Sequence, residues 1–305
     1  MKIYVAGSLN MDLTIRAPYA PAKGETLTGD GFMTTPGGKG ANQAVAVGKL
    51  GGNVSMIGMV GSAFGDELLS SLRHANVNTG YVGRTEQASS GIAVIVVVDG
   101  DNRIILDRGA NGMVSKELID RALEDAQAGD YFVIQLEISL DMVKYGLEKA
   151  KSKGLITVLN PAPAAALDDG IFAACDYFMP NQTEAEFYTG IYPKDEESAR
   201  ECAARLNGKG VKNVVITMGE QGSVGVCGGE YYTAEAVRVD AVDTTAAGDT
   251  YVGAFVTALS EGAKTGEAMK FASHASALTV TKRGAQAAIP SRGEVDAFRK
   301  DRAGK

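Results

Sequence analysis

What most restricts the folds open to this chain is the regular alternation of short apolar runs with helical stretches. Ile3–Leu9 reads as a buried strand, Gly38–Leu50 as a small-residue helix packed close to a sheet, Val54–Val60 as a strand and Glu67–His74 as a helix. The rhythm resumes with a helix near Lys116–Gln127, strand Tyr131–Gln135, helix Leu140–Lys153 and strands Ile156–Leu159 and Tyr177–Met179. Helices Glu184–Thr189 and Glu196–Asn207 and strand Val214–Thr217 follow. Strands joined through helices predict an α/β fold, with a mostly parallel central sheet covered by helices.

Two stretches break the pattern. Leu13–Thr35 carries Pro18, Pro21, Gly24, Gly29 and Gly31, and Gly91–Asp107 gives two β runs, Ile92–Val98 and Arg103–Leu106, around Asp99-Gly100-Asp101-Asn102. Neither has a crossover helix, so both are assigned to a small antiparallel β-sheet. It forms a lid from segments of about 12–36 and 91–108 inserted in a single domain, 1–305. Ile92, Val94, Val96 and Val98 fall on one side of its strand, Ala93, Ile95 and Val97 on the other. A strand apolar on both faces needs cover on both, which points to a homodimer through this flap.

A formal charge of −7 and the lack of a Lys/Arg cluster argue against a nucleic-acid surface. Cys175, Cys202 and Cys227 share no CxxC spacing, so they predict neither a disulfide framework nor a zinc site but free thiols in a reducing cytoplasm. No run approaches the roughly 18 apolar residues of a membrane helix, and Ile3–Leu9 is too short for a signal peptide's core.

The chemistry is concentrated in Val242-Asp243-Thr244-Thr245-Ala246-Ala247-Gly248-Asp249-Thr250. Ala246, Ala247 and Gly248 have side chains too small to block their own amides. At a helix start those N–H groups can face an anion and share the helix dipole. Asp249 then sits one step away, where the general base for a hydroxyl nucleophile belongs in phosphoryl transfer. An ordinary Asp/Thr-capped helix start has the same composition. The GxxxxGK[ST] and GxGxxG phosphate loops are absent, which leaves this turn as the best anion site.

Other polar residues fall at strand ends, where open α/β sheets bind ligands. Asn10 and Asp12 follow the first strand, and Glu137 follows Tyr131–Gln135. Gly37-Gly38-Lys39-Gly40-Ala41-Asn42 offers bare backbone beside Lys39 and Asn42, suited to sugar hydroxyls and equally to a plain pre-helix turn. Asn181 and Glu184, three apart at a helix start, can hold water on Mg²⁺ or simply cap the helix. Thr217, Gly219 and Gly222 end a strand in a turn that passes near a nucleotide or serves as a tight β-turn. His74 and His274 lie beside no Ser, Cys or metal-like cluster, which disfavours a hydrolytic triad.

Taken together these pieces resemble the ribokinase family of carbohydrate kinases, from about Lys2 to Ile289. In the family's order stand Asn10-x-Asp12, Gly37-Gly38-Lys39-Gly40-Ala41-Asn42 with Gln43-Ala44, Gln135-Leu136-Glu137 and Asn160-Pro161-Ala162-Pro163-Ala164. Pro180-Asn181-x-Thr183-Glu184, Asp243-Thr244-x-Ala246-Ala247-Gly248-Asp249 and Lys282-Arg283-Gly284-Ala285-Gln286 complete the series. The resemblance implies a three-layer α/β/α domain with a β-sheet lid, a homodimer joined through the lids, and MgATP meeting sugar at the strand ends. It implies that Asn10, Asp12, Gly38, Lys39, Asn42 and Glu137 hold sugar hydroxyls, that Asp249 is the base and that the Ala246–Gly248 amides form the anion hole. By the same carry-over Asn181 and Glu184 match the Mg²⁺/phosphate motif, and Thr217, Gly219, Gly222 and Gly248 contact the nucleotide. An activating potassium ion would take the Asp243 carboxylate and the carbonyls of Thr245, Thr279, Lys282 and Gly284. Two departures stand out. Ala287-Ala288 occupies a stretch where the family often has a Ser potassium ligand, and Arg108 near the lid is either a solvated hinge residue or a contact to an anionic substrate.

The expected reaction is ATP-dependent phosphorylation of D-ribose at its 5-hydroxyl. The alternatives are a sister kinase for a phosphorylated hexose, a nucleoside kinase and, from a different class, a non-catalytic sugar-binding sensor.

Overall fold

The computed structural model describes residues 1–99 and 101–303. In chain order its strands and helices are β1 (Lys2–Ala6), β2 (Asn10–Arg16), β3 (Asp30–Gly37), α1 (Lys39–Lys49), β4 (Asn53–Val60), α2 (Gly65–His74), β5 (Asn78–Arg84), β6 (Gly91–Val98) and β7 (Asp101–Asp107). Next come α3 (Lys116–Ala122), β8 (Tyr131–Ile134), α4 (Leu140–Ser152), β9 (Ile156–Leu159), α5 (Asp169–Ala174), β10 (Tyr177–Phe178), α6 (Gln182–Thr189) and α7 (Glu196–Gly208). The chain closes with β11 (Asn213–Thr217), β12 (Ser223–Cys227), β13 (Glu230–Ala234), α8 (Ala247–Ser260), α9 (Thr265–Val280) and α10 (Arg292–Ala303). Gly100 of the expected Asp99–Asn102 turn and residues 304–305 lie outside the described residues.

Nine of these strands form one sheet in the order β13-β12-β11-β10-β9-β8-β1-β4-β5. All its pairings are parallel except the β11–β12 and β12–β13 hairpins at one edge. Side chains of successive strand residues go to opposite faces. Ile3, Val5, Tyr131 and Val133 join a core with α1, α2, α8 and α9, while Tyr4, Ala6, Phe132 and Ile134 join a second core with α3, α4, α6 and α7. The result is the expected three-layer α/β/α arrangement. The β12–β13 hairpin was not expected; its two-residue turn, Gly228-Gly229, has φ of 60° and 82°, the conformation that tight hairpin turns require.

The small sheet runs β3-β2-β6-β7. Its outer pairings are antiparallel as expected, but β2 and β6 in the middle run parallel. Each is reached from a strand of the main sheet, β1 or β5, that points the same way, so both enter the small sheet in one direction.

Helices α1 and α8 pack closely, and small residues make this possible. A Cβ on Gly253 would stand 2.6 Å from Ala46 Cβ and 2.9 Å from the Gln43 carbonyl. Gly253→Val is therefore expected to destabilise the fold by about 1–3 kcal/mol, the usual cost of overpacking a tight contact; a urea titration of the two proteins measures it. An unchanged midpoint would mean the helices can separate freely.

Candidate functional site

The C-terminal ends of the parallel strands and the starts of α1, α6 and α8 converge on one region. Helix α1 begins at Gly38, whose φ of 90° and 2.8 Å approach of a would-be Cβ to Asn10 N leave room only for glycine. The first amides of α1 are all used inside the protein. Lys39 N donates to Glu137 Oε2 at 3.1 Å, Gly40 N to Ser8 Oγ at 3.3 Å and Ala41 N to the Ser8 carbonyl at 2.9 Å. Ser8 Oγ also donates to Glu137 Oε2, so Ser8 fixes that carboxylate.

Helix α8 begins differently. Ala246 is in the left-handed region (φ 60°) and provides no side-chain cap. Ala247 N donates to the Thr244 carbonyl at 3.2 Å, and Thr250 N to that of Ala246 at 2.8 Å. Of the three amides read as an anion turn, Ala247 is thus already engaged. Those of Gly248 and Asp249 have no acceptor among the described residues and lie at the positive end of the helix.

Asp249 itself is buried, with 7% of its surface exposed. Its Oδ2 accepts from Asn42 Nδ2 at 3.0 Å and its Oδ1 from Gln43 Nε2 at 3.0 Å. Buried Asn42 Oδ1 has no protein partner, and neither has Gln135 Oε1, so each can take a hydrogen bond from a ligand or a water. Asn10 is held by Asn111, whose Nδ2 donates to Asn10 Oδ1 at 2.7 Å and whose Oδ1 accepts from Leu9 N at 2.9 Å. Half-buried Asp12 lies close enough to Glu137 and Asp249 to feel both. Burial first, then those two carboxylates, push its carboxyl up to about 7. Lys39 is the cation of the group. Burial opposes its charge, but Asp249, Glu137 and Glu184 outweigh that and hold its ammonium above the ordinary lysine range.

Beside the start of α8 opens a cleft of about 840 Å³. Thr217, Gly219 and Gly222 line it, with Asn181, Ala247 and Gly248. Gly222, at φ 89°, lies against the Ala234 carbonyl, where a Cβ would come within 2.2 Å. Asn181 and Glu184 build the capping box their spacing allowed: Asn181 Oδ1 accepts from Glu184 N at 2.8 Å, and Glu184 Oε2 from Asn181 N at 2.9 Å. One oxygen of buried Glu184 is left over. Burial raises its carboxyl pKa, against the backbone hydrogen bond at Asn181 and the pull of Lys39.

Asp243 ties the loop before α8 to the loop after α9, its Oδ1 accepting from Thr245 N and its Oδ2 from Gly284 N, both at 2.9 Å. Burial opposes its charge, but these hydrogen bonds prevail and its pKa is lowered. The Thr279 carbonyl accepts from Lys282 N at 3.2 Å in the same turn, while the Lys282 side chain points away to Glu294. Ala288 is fully buried. Arg108 is exposed, precedes the 3₁₀ turn Gly109–Met113 and makes no ion pair among the described residues.

Sequence reasoning gave no role to Gln43, Gln135, Asn160, Asn111 or Ser8, which hold the proposed ligand-facing groups in place. The available signal was a pair of adjacent amides, Asn42-Gln43, inside an otherwise small and apolar helix.

The family described as pfkB family carbohydrate kinase matches residues 1–292. A ribokinase of Haemophilus influenzae is 40% identical over 296 residues, covering 96% of this chain and 97% of that protein. A deoxyribokinase of Salmonella typhi is 40% identical over 294 residues, covering 95% and 96%. Among solved structures, Arabidopsis thaliana ribokinase complexed with ribose and ATP matches with a TM-score of 0.90 at 28% identity, over 97% of each chain.

Proposed function

This chain belongs to the pfkB family of carbohydrate kinases, and we propose that it transfers the γ-phosphoryl group of ATP to O5 of D-ribose, with Asp249 as the base. The carrying observation is the placement of Asp249. A buried carboxylate held by two amide donors stands at the start of α8, where Ala247 and Gly248 line a nucleotide-sized cleft, beside two amides without acceptors.

Asn10, Asp12, Gly38, Lys39, Asn42 and Glu137 bind the sugar hydroxyls and aim O5. Asp249 takes its proton as the oxygen attacks phosphorus in line. The free amides at the start of α8, with that of Ala246 just before it, stabilise the charge that grows on the equatorial oxygens. Asn181, Glu184, Thr217, Gly219 and Gly222 hold the nucleotide side. Among the described residues no group of three or more His, Cys, Asp or Glu is placed to cage a metal. A Mg²⁺ that keeps its waters and binds chiefly to the phosphates fits such a site, with the spare Glu184 oxygen holding one of those waters. When bound, it neutralises phosphate charge.

A neutral sugar fits better than a phosphorylated hexose. Glu137, Asp249 and Glu184 act on Lys39, the cation of the cluster, and Asp12 stands beside Glu137 and Asp249, a field that repels a second phosphate, and Arg108 is exposed and unpaired among the described residues. Among neutral sugars, 2-deoxyribose is the second reading, on the strength of the deoxyribokinase relative. ³¹P–¹H correlation of the product should show phosphorus coupled to the C5 protons; coupling to the anomeric proton would place the transfer at O1.

Potassium fits at Asp243. Its two hydrogen bonds tie the backbone of Thr245 to that of Gly284 and leave a carboxylate with spare lone pairs, and the carbonyls of Thr245, Thr279, Lys282 and Gly284 would supply the other oxygens. Buried Ala288 offers no side-chain oxygen, so one ligand would be absent or supplied by water. Fixed positive charge there steadies the turn that carries the anion hole. Asp243→Asn is expected to lose most of the rate difference between potassium and sodium buffers. A variant with undiminished potassium activation would remove Asp243 from the site.

Val94 pairs with Leu13 and Ile105 on one face of the small sheet, and Met33 with Thr14 on the other. Val94, Ile105 and Met33 are exposed, which supports a homodimer joined there, the small sheet acting as a lid that excludes water. A cytoplasmic location accords with ATP supply and with three buried free thiols. Among the described residues no helix is long and apolar enough to cross a membrane.

A further inference from the structure

The amide of Gln43 is fully committed, and the chain of commitments can be followed from a backbone atom. The Met179 carbonyl can only accept, so Asn160 turns its Nδ2 to it, at 2.9 Å. That leaves Asn160 Oδ1 as an acceptor, which takes a hydrogen bond from Gln43 Nε2 at 3.0 Å. The second hydrogen of Gln43 Nε2 goes to Asp249 Oδ1, also at 3.0 Å. Gln43 Oε1 accepts from Gln135 Nε2 at 2.6 Å. Gly7 leaves space for Gln135, since a Cβ there would lie 2.1 Å from Gln135 Oε1.

Gln43 is wholly buried, and turning its amide over would set donor against donor and acceptor against acceptor at three contacts. Its neighbour Asn42 is arranged otherwise: it also donates to Asp249, but its own carbonyl oxygen is left unpartnered. The two adjacent amides therefore differ in task, Asn42 keeping an acceptor for a ligand and Gln43 bonded only to protein.

We propose that Gln43 is a positioning residue for phosphoryl transfer, locking the Asp249 carboxylate through a relay that runs from the Met179 carbonyl by way of Asn160. The proposal rests on the reading of Asp249 as the base. Met179 immediately precedes Pro180-Asn181, the start of α6, so the same relay fixes the base relative to the segment assigned to the nucleotide. A carboxylate freed to swing would meet O5 in the wrong geometry, and small misplacements of reacting groups are costly.

The test is a mutant cycle read by ADP release, with Gln43→Leu and Gln43→Glu each made alone and on the Asp249→Asn background. The expected result is a kcat lowered about 10- to 100-fold by either Gln43 change, with KM for ribose and for ATP within about threefold of wild type. On the Asp249→Asn background the same changes should cost nothing further, because the group they act through is already gone. A Gln43 that only braces α1 against the sheet would lower the melting temperature but leave kcat intact, or lose the same factor on both backgrounds, and either result overturns the proposal. Should Gln43→Leu not fold, Gln43→Glu carries the test, since it keeps the acceptor for Gln135. The two levels fail separately. Wild-type turnover in Asp249→Asn removes the base and the relay with it, whereas a slow Asp249→Asn with an undiminished Gln43 effect removes the relay alone.

Discussion

Asp249→Asn is expected to cut turnover on ribose by about 10²-fold or more, the scale of a positioned general base, while ribose and ATP still bind. The change preserves side-chain volume in a buried position, so the fold has no cavity to absorb. What it removes is the proton acceptor. It also turns one hydrogen bond into a clash of donors, because Asn42 and Gln43 each offer an N–H to one of the two carboxylate oxygens. Steady-state ADP release measures kcat, and calorimetric titration with ribose separates binding from chemistry. The residual rate would report what positioning and the α8 amides achieve without a base. Turnover within about threefold of wild type is below any general-base contribution and would remove Asp249 from the role.

Asp12→Asn should have the second-largest effect, in opposite directions on function and stability. A carboxylate accepting from a sugar hydroxyl makes a charge-assisted hydrogen bond, and its loss should raise the ribose KM by about 10- to 100-fold, equivalent to about 1.5–3 kcal/mol. The same carboxylate burdens the fold. Its pKa is raised from 3.8 to about 7 by burial and by Glu137 and Asp249. Between those values the unfolded chain has released a proton that the folded protein retains, so this group's contribution to stability falls as pH rises, reaching its full penalty above about 7. Asparagine carries no such penalty. The variant should therefore melt higher than wild type at pH 8 and nearly level with it close to pH 4. In the wild-type enzyme the ribose KM should rise as the pH drops from 8 to 6 and Asp12 takes up its proton. A pH-independent difference in melting temperature would show that Asp12 ionises normally.

Both effects depend on parts of the molecule that the sequence revealed unequally. The α1 and α8 starts were legible because glycine and alanine before an apolar run mark close backbone approach, and β1, β4, β8 and β9 because they are largely apolar runs. Strand β5, with Gly80 and Gly83 among its seven residues, lacks such a run. It is an edge strand held by β4 alone in the main sheet. The β12–β13 hairpin carried a readable Gly228-Gly229 turn, but Gly225 interrupts its apolar pattern. The parallel pairing of β2 with β6 depends on where two distant strands leave the main sheet, which no local pattern encodes.

The same limit applies to the site. Asn10, Asp12, Lys39, Glu137 and Asp249 were readable as candidates because strand ends and helix starts are where ligands bind in such folds. The bonds that orient them join residues far apart in the chain: Gln43 and Asp249 are 206 positions apart, Asn10 and Asn111 101, Ser8 and Glu137 129. The packing of α1 against α8 brings the first pair together, β1 beside β8 the third, and the return of the chain from the small sheet into the turn Gly109–Met113 the second. The difference between the two helix starts was equally hidden, because it depends on Ser8 and Glu137 reaching the amides of α1 while nothing reaches those of Gly248 and Asp249.

The most direct test of the central claim is ADP release with MgATP and potassium across ribose, 2-deoxyribose, fructose, fructose 6-phosphate and adenosine, with Asp249→Asn as the blank. The account predicts the highest kcat/KM on ribose, abolished in the variant. Preference for fructose 6-phosphate or adenosine, or ribose binding without ADP release, would contradict it.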